Sequence, residues 1–214
     1  MLTRCSLVAV LVALLTSGSA AAATWTEVGD AGKLLDTAQE TGTGALTGIT
    51  TDLAPETDVD LFRFLVIGQG EVTITTSGEF DTQLFLFDAS GLGIAANDDF
   101  TDGSGNSLIT AALSTGYYYL GVSLFDVDPV STTGLIFPNE QGELLGPTGP
   151  GGEDPLSGWV AFGESVDAVV SIEYLFIPTF LVLGSLESVP APTSLVLLAA
   201  GVGVLVVRRL RSRG

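Results

Sequence analysis

The sequence predicts an all-β protein: an antiparallel β-sandwich, jelly-roll-like, set between an N-terminal signal peptide and a single C-terminal transmembrane helix. Three observations predict it. Short apolar segments with period two recur through the middle of the chain. Gly, Asp, Ser and Thr clusters punctuate them at close spacing, with no helical periodicity between. Long apolar runs stand only at the two ends, and the second is capped by arginines.

The N-terminal end has three parts. Residues 1–4 carry one positive charge at Arg4, an apolar run covers 7–15, and small residues follow in "TSGSAAAATW". This is the layout of a secretory signal peptide over 1–23, with cleavage after Ala23, because Ala21 and Ala23 fill the small-residue positions. The single cysteine, Cys5, lies inside the run. The mature chain then has no disulfide, and its fold stands on its core and on any bound ion.

Residues 24–57 form a lead-in. "AGKLLDTAQE" suits a short helical turn, and "LTGITTDL" suits a strand. The sandwich is expected over 58–188. "DLFRFLVIG" places Phe62, Phe64 and Val66 on one face, and "EVTITTSG" does the same for Val72, Ile74 and Thr76. "TQLFLFDASG" is apolar on both faces before a turn, and "LGIAANDD" is a short return strand. "SLITAALSTG" and "YYYLGVSLF" read as two paired strands around "STG". The Gly/Pro-rich stretch from "DVDPV" to "PLSGW" reads as a long surface excursion. "AVVSIEYLFI" closes the fold, and "PTFLVLGSLES" leads to a proline hinge.

The tail covers 189–214. Its apolar helix, 193–207, rises on the order of 20 Å at about 1.5 Å per residue, against a bilayer core of about 30 Å. Arg208 and Arg209 can snorkel, and the four tail arginines place that end in the cytoplasm with the body outside. The body keeps only Lys33 and Arg63 against all 25 acidic residues, a formal charge of 2 − 25 = −23. It repels nucleic acid and attracts cations. No histidine occurs, which excludes Ser-His and Cys-His machinery and the usual zinc sites.

Three patterns bear on chemistry. "GLGIAA" matches a dinucleotide fingerprint in letters, but that motif needs a helix after it, and acidic "NDDFTDGSGN" follows instead. In that loop Asp98, Asp99 and Asp102, with Asn97 and Asn106, offer hard oxygen ligands for Ca2+, and Gly103 and Gly105 let the backbone wrap. It is not an EF-hand. Further ligands could come from Asp58, Asp60, Asp81 or Asp126, and the same loop also suits a solvated hairpin. Tyr117, Tyr118, Tyr119 and Trp159 could stack on sugars, although core packing is the expectation for Tyr118. No motif singles out a catalytic carboxylate pair, so no catalytic residue is assigned.

Two resemblances follow from these residues. Val189, Pro190 and Pro192 ("VPAP"), the apolar run and "RRLRSR" with Arg208 and Arg209 resemble a PEP-CTERM sorting signal. Ala191 stands where that family has Glu. The resemblance implies a Gram-negative exported protein, processed by an exosortase in the membrane. "DVDLFRFLV", "GEFDTQLFLFDASGLGIAANDD" and "LSTGYYYLGVS" resemble the bacterial pre-peptidase C-terminal (PPC) domain. That implies a β-sandwich, usually an accessory module beside a secreted enzyme; here the module is expected to stand without one. The expected function is a non-catalytic surface or extracellular-matrix module, tethered to the cell membrane, that binds polysaccharide or calcium. The alternatives are a purely structural envelope protein and a hydrolase using a carboxylate pair.

Overall fold

Two strands of unusual length organise the molecule. The computed structural model describes residues 23–42, 45–53, 57–78, 80–101, 103, 105–140, 144–162, 170–178 and 181–183, the last two segments by their backbone. The strands are β1 (Ala23–Thr26), β2 (Gln39–Glu40), β3 (Leu46–Leu53), β4 (Val59–Ser77), β5 (Thr82–Asp88) and β6 (Gly93–Asn97). They continue with β7 (Leu108–Leu124), β8 (Val127–Ser131), β9 (Gly134–Leu135), β10 (Gly158–Ala161), β11 (Val170–Pro178) and β12 (Leu181–Leu183). There is no helix among the described residues. "AGKLLDTAQE", expected as a helical turn, instead forms hydrogen-bonded turns that end in β2.

β4 and β7 pair antiparallel along nearly their whole length, from Val59↔Ser123 to Thr75↔Leu108. The register shifts once, between Val66 and Gln69, where Gly68 takes φ 110°. A residue with a Cβ is strained at that φ, so glycine permits the bend. "STG" lies on the partner strand opposite this bend, with Thr115 bonded both ways to Gly68. The expectation of two strands around "STG" is therefore corrected. The turn-like letters mark a bend shared by two long paired strands, because the ladder continues on either side of it.

The bend folds one nine-stranded sheet into two layers. Its order is β1-β3-β11-β4-β7-β5-β6, with β2 and β12 also on β4. The first half of β4 lies with β7, β5 and β6; the second half lies with β11, which pairs in turn with β3. Pairing is antiparallel except for β1–β3 and β2–β4. Between the layers Phe62, Phe64, Val66, Leu84, Leu86 and Leu120 meet Ile49, Leu53, Val72, Ile74 and Ile109 in one buried core. Each such side chain stabilises by about 1.5–3 kcal/mol before the entropy of ordering it is counted.

The Gly/Pro-rich stretch is not a surface excursion. β10, β8 and β9 make a second sheet. With the segment between β9 and β10 it covers the outer face of β5, which is why "TQLFLFD" is apolar on both faces. There Phe85 and Phe87 pack with Leu61, Ile136, Phe137 and Leu156 in a second core, edged by Trp159. Three glycines of "GPTGPGG", Gly149, Gly151 and Gly152, permit this closeness. A Cβ on Gly151 would overlap the Gly134 carbonyl oxygen and Ser131 Oγ. Gly151→Ala is predicted to cost about 1–3 kcal/mol, as overpacking does. Thermal unfolding checks it, and an unchanged midpoint would contradict this packing.

Candidate metal centre

The bent sheet brings separate acidic segments to one end of the sandwich. Leu84 pairs with Asn97 and Thr82 with Leu124, so the residues before β5, after β6 and after β7 share that end. Asp81, Asp98 and Asp99 meet there, with one carboxylate oxygen of each inside 4.8 Å of the others. Two ligands on opposite sides of a calcium ion, at about 2.3–2.6 Å each, stand about 5 Å apart. The spacing therefore fits one ion.

The loop around them is built by hydrogen bonds. Asp99 accepts from the amides of Gly103 (2.9 Å) and Gly105 (2.7 Å). Both glycines are left-handed, at φ 72° and 64°. Asn97 accepts from the Leu108 amide at 2.6 Å and donates to the Asp99 carbonyl at 3.2 Å. Beneath lies a buried hydroxyl cluster in which Thr76 and Thr82 meet at 2.8 Å and the Ser107 amide donates to Thr76 Oγ1. Asp98 differs from its neighbours. It is 3 % exposed, and no donor among the described residues reaches its Oδ1. Burial, then Asp81, Asp99, Asp128 and Asp126, push its pKa up to about 7. Burial and then Asp99 and Asp126 raise Asp81 as well. Asp128, on β8, is buried and pushed up to about 6, although Gln83 donates to it.

A second acidic group forms from the segment just after β1 and from β4. Glu27, Asp30 and Asp60 bring carboxylate oxygens inside 4.8 Å of one another. Asp60 is fully buried, and no donor among the described residues reaches its Oδ1. The Thr51 hydroxyl touches both Glu27 Oε2 and Asp60 Oδ2. One hydroxyl has one proton, so it can donate to only one of the two. The other contact needs a proton on the acid or a cation nearby. Burial, with Glu27, Asp58 and Asp30, accordingly pushes Asp60 up to about 8 against the lowering by Thr51.

Of the residues expected from sequence, Asp98 and Asp99 come together, and Asp102 lies outside the described residues. Asp81 joins them. Asp60 groups elsewhere, and Asp126 lies near enough to raise Asp98. No local spacing ties Glu27, Asp30 or Asp128 to the acidic loop, so the sequence alone does not mark them. Val189, Pro190, Pro192, Arg208 and Arg209, and the run 193–207, also lie outside the described residues. Among those described, no helix is long and apolar enough to cross a membrane. "GLGIAA" leads into β6, a strand. The four aromatic rings do not form one stacking face. Tyr118 stacks on Phe64, Arg63 lies 3.8 Å over Tyr117, and Trp159 packs edge-on against Phe85.

Residues 58–124 match the family model of the bacterial pre-peptidase C-terminal domain, so a PPC domain is recognised in this chain. The match spans β4 to β7 and holds Asp60, Asp81, Asp98 and Asp99, while Glu27, Asp30 and Asp128 fall outside it. Among solved structures, the chain is similar to the pre-peptidase C-terminal domain of collagenase from Bacillus anthracis. The identity is 11% over 73% of this chain and 96% of that one, with a TM-score of 0.37. It is also similar to PliG of Aeromonas hydrophila, a periplasmic inhibitor of g-type lysozyme, at 12% identity over 72% and 97%, TM-score 0.31. PliG of Salmonella Typhimurium follows at 14% over 72% and 97%, TM-score 0.28. No curated protein matches the sequence.

The raised acids set a pH dependence. A carboxyl whose folded pKa is raised holds its proton longer when folded than when unfolded. Stability then falls as pH rises from the ordinary aspartate value, about 4, through the raised values. For Asp60, Asp98 and Asp128 the window closes at about 8. In chelator, the midpoint of unfolding is predicted to be higher at pH 5.5 than at pH 8.5. A midpoint that rises with pH would contradict the burial of these acids.

Proposed function

We propose that this chain is an exported, membrane-tethered, non-catalytic module whose folded body binds calcium through Asp81, Asp98 and Asp99. One observation carries the reading: buried Asp98 has a carboxylate oxygen that meets no donor among the described residues, and its carboxylate stands within 4.8 Å of those of Asp81 and Asp99. An ionised carboxylate in that place needs a partner, and a divalent cation with oxygen ligands supplies it. The acid-rich, histidine-free composition supports cation binding over catalysis. Export and tethering rest on the two ends of the sequence, with an exosortase-like enzyme acting at the proline hinge.

With a dissociation constant of about 10⁻⁴ M, calcium at a hundredfold excess stabilises the fold by about 2.7 kcal/mol. For a body of this size that raises the melting midpoint by about 5–10 °C. Asp98→Asn is predicted to abolish this rise while raising the midpoint in chelator at pH 8, because it removes a buried repelling charge. If calcium shifts parent and variant equally, the site is wrong. For the ends, the intact mass of the protein from membrane fractions is predicted to lack residues 1–23. A mass that retains them would contradict cleavage after Ala23.

A further inference from the structure

Four phenylalanines stand exposed around the Asp81–Asp98–Asp99 end. Phe80 is 39%, Phe100 49%, Phe125 37% and Phe162 53% exposed. Their backbones are tied to the acidic segments. Phe80 precedes Asp81, and Phe100 follows Asp99. The Phe125 amide donates to the Asp81 carbonyl, and that of Phe162 to the Asp126 carbonyl. Half of the large apolar side chains exposed among the described residues thus sit on loops at one end, beside its carboxylates. Exposed apolar side chains gathered at one end of a molecule mark an interaction site. Phenylalanine also offers no hydrogen bond to a sugar, which tyrosine or tryptophan would.

The chain's direction says what this end faces. β12 runs antiparallel to β4, from Leu181↔Ile67 to Leu183↔Leu65. It therefore points toward the level of Val59, which pairs with Ser123 beside the cation end. From the level of Leu65 to that of Val59 is about 20 Å along a strand. The residues between Leu183 and the apolar run at Ser194 can span at most about 35–40 Å. The tail can thus reach a bilayer lying against this end.

We infer that this end, loaded with calcium at Asp81, Asp98 and Asp99, docks onto the phosphate-bearing surface of the bilayer that holds the tail, with Phe80, Phe100, Phe125 and Phe162 inserted among the lipids. The inference rests on the calcium reading. One calcium ion leaves most of the body's formal charge of −23 in place, so the attraction is local: the ion's remaining coordination positions accept lipid phosphate oxygens. The rings add apolar burial, as interfacial side chains do.

The test uses the full chain reconstituted in vesicles of phosphatidylglycerol and phosphatidylcholine with dibrominated acyl chains, which quench tryptophan on contact. Phe100→Trp reports the rim, and Phe125→Trp repeats the measurement should the first misfold. The parent, with Trp25 and Trp159, sets the background. The expected result is a calcium-dependent loss of emission beyond the parent's, absent when Asp98→Asn is added. Calcium that raises the melting midpoint without quenching the reporter overturns the docking and leaves the calcium reading standing. Calcium that does neither removes both. A calcium-dependent change of the reporter on adding soluble polyuronate, without lipid quenching, overturns the bilayer in favour of an acidic glycan.

Discussion

A carboxylate buried without a donor is the constraint on which the rest turns. Asp98 and Asp60 each hold such an oxygen inside the protein. Burying an ionised group this way is too costly for a marginally stable fold, so the group must be protonated or paired. With only two basic residues in the body, Lys33 and Arg63, the sequence has little internal charge for pairing. Arg63 is already committed to Glu40 and to the Tyr117 ring. Among the described residues a proton or a bound cation is what remains to balance these groups, and pH shifts that balance.

The sheet makes this arrangement possible. The bend that Gly68 permits lets β4 and β7 serve both layers, and it returns their ends to the same pole as the start of β5 and the end of β6. The acids therefore come from segments far apart in the chain, each placed by strand pairing. The second sheet, β8–β10, buries the outer face of β5 and brings Asp126 and Asp128 close to the same pole. The Asp81–Asp98–Asp99 cluster, four exposed phenylalanines and the exit direction of β12 all lie toward one end of the molecule.

Much of the fold was legible because alternation reports burial directly. Phe62, Phe64 and Val66 share the inner core as their period-two spacing requires, and "LTGITTDL" forms β3. What the local sequence does not display is long-range. A bend in a paired ladder and a hairpin turn use the same residues, so "STG" could not announce which it was. "GPTGPGG" looked like loop because its glycines serve close packing, a property visible only once Ser131 and Gly134 lie against Gly151. The site was half legible for the same reason. Asp98 and Asp99 stand adjacent in a turn-prone acidic loop, whereas Asp81 joins them only through the β5–β6 hairpin. Glu27 meets Asp60 only because β1 lies beside β3.

The most direct test of the account is a crystal structure of the chain grown with calcium at pH 8, with anomalous scattering collected to locate the ion. If Asp81, Asp98 and Asp99 hold calcium, an anomalous peak stands bonded to their oxygens at about 2.3–2.6 Å. No ion at that position, with Asp98 instead donating a proton to a neighbouring oxygen, would contradict it.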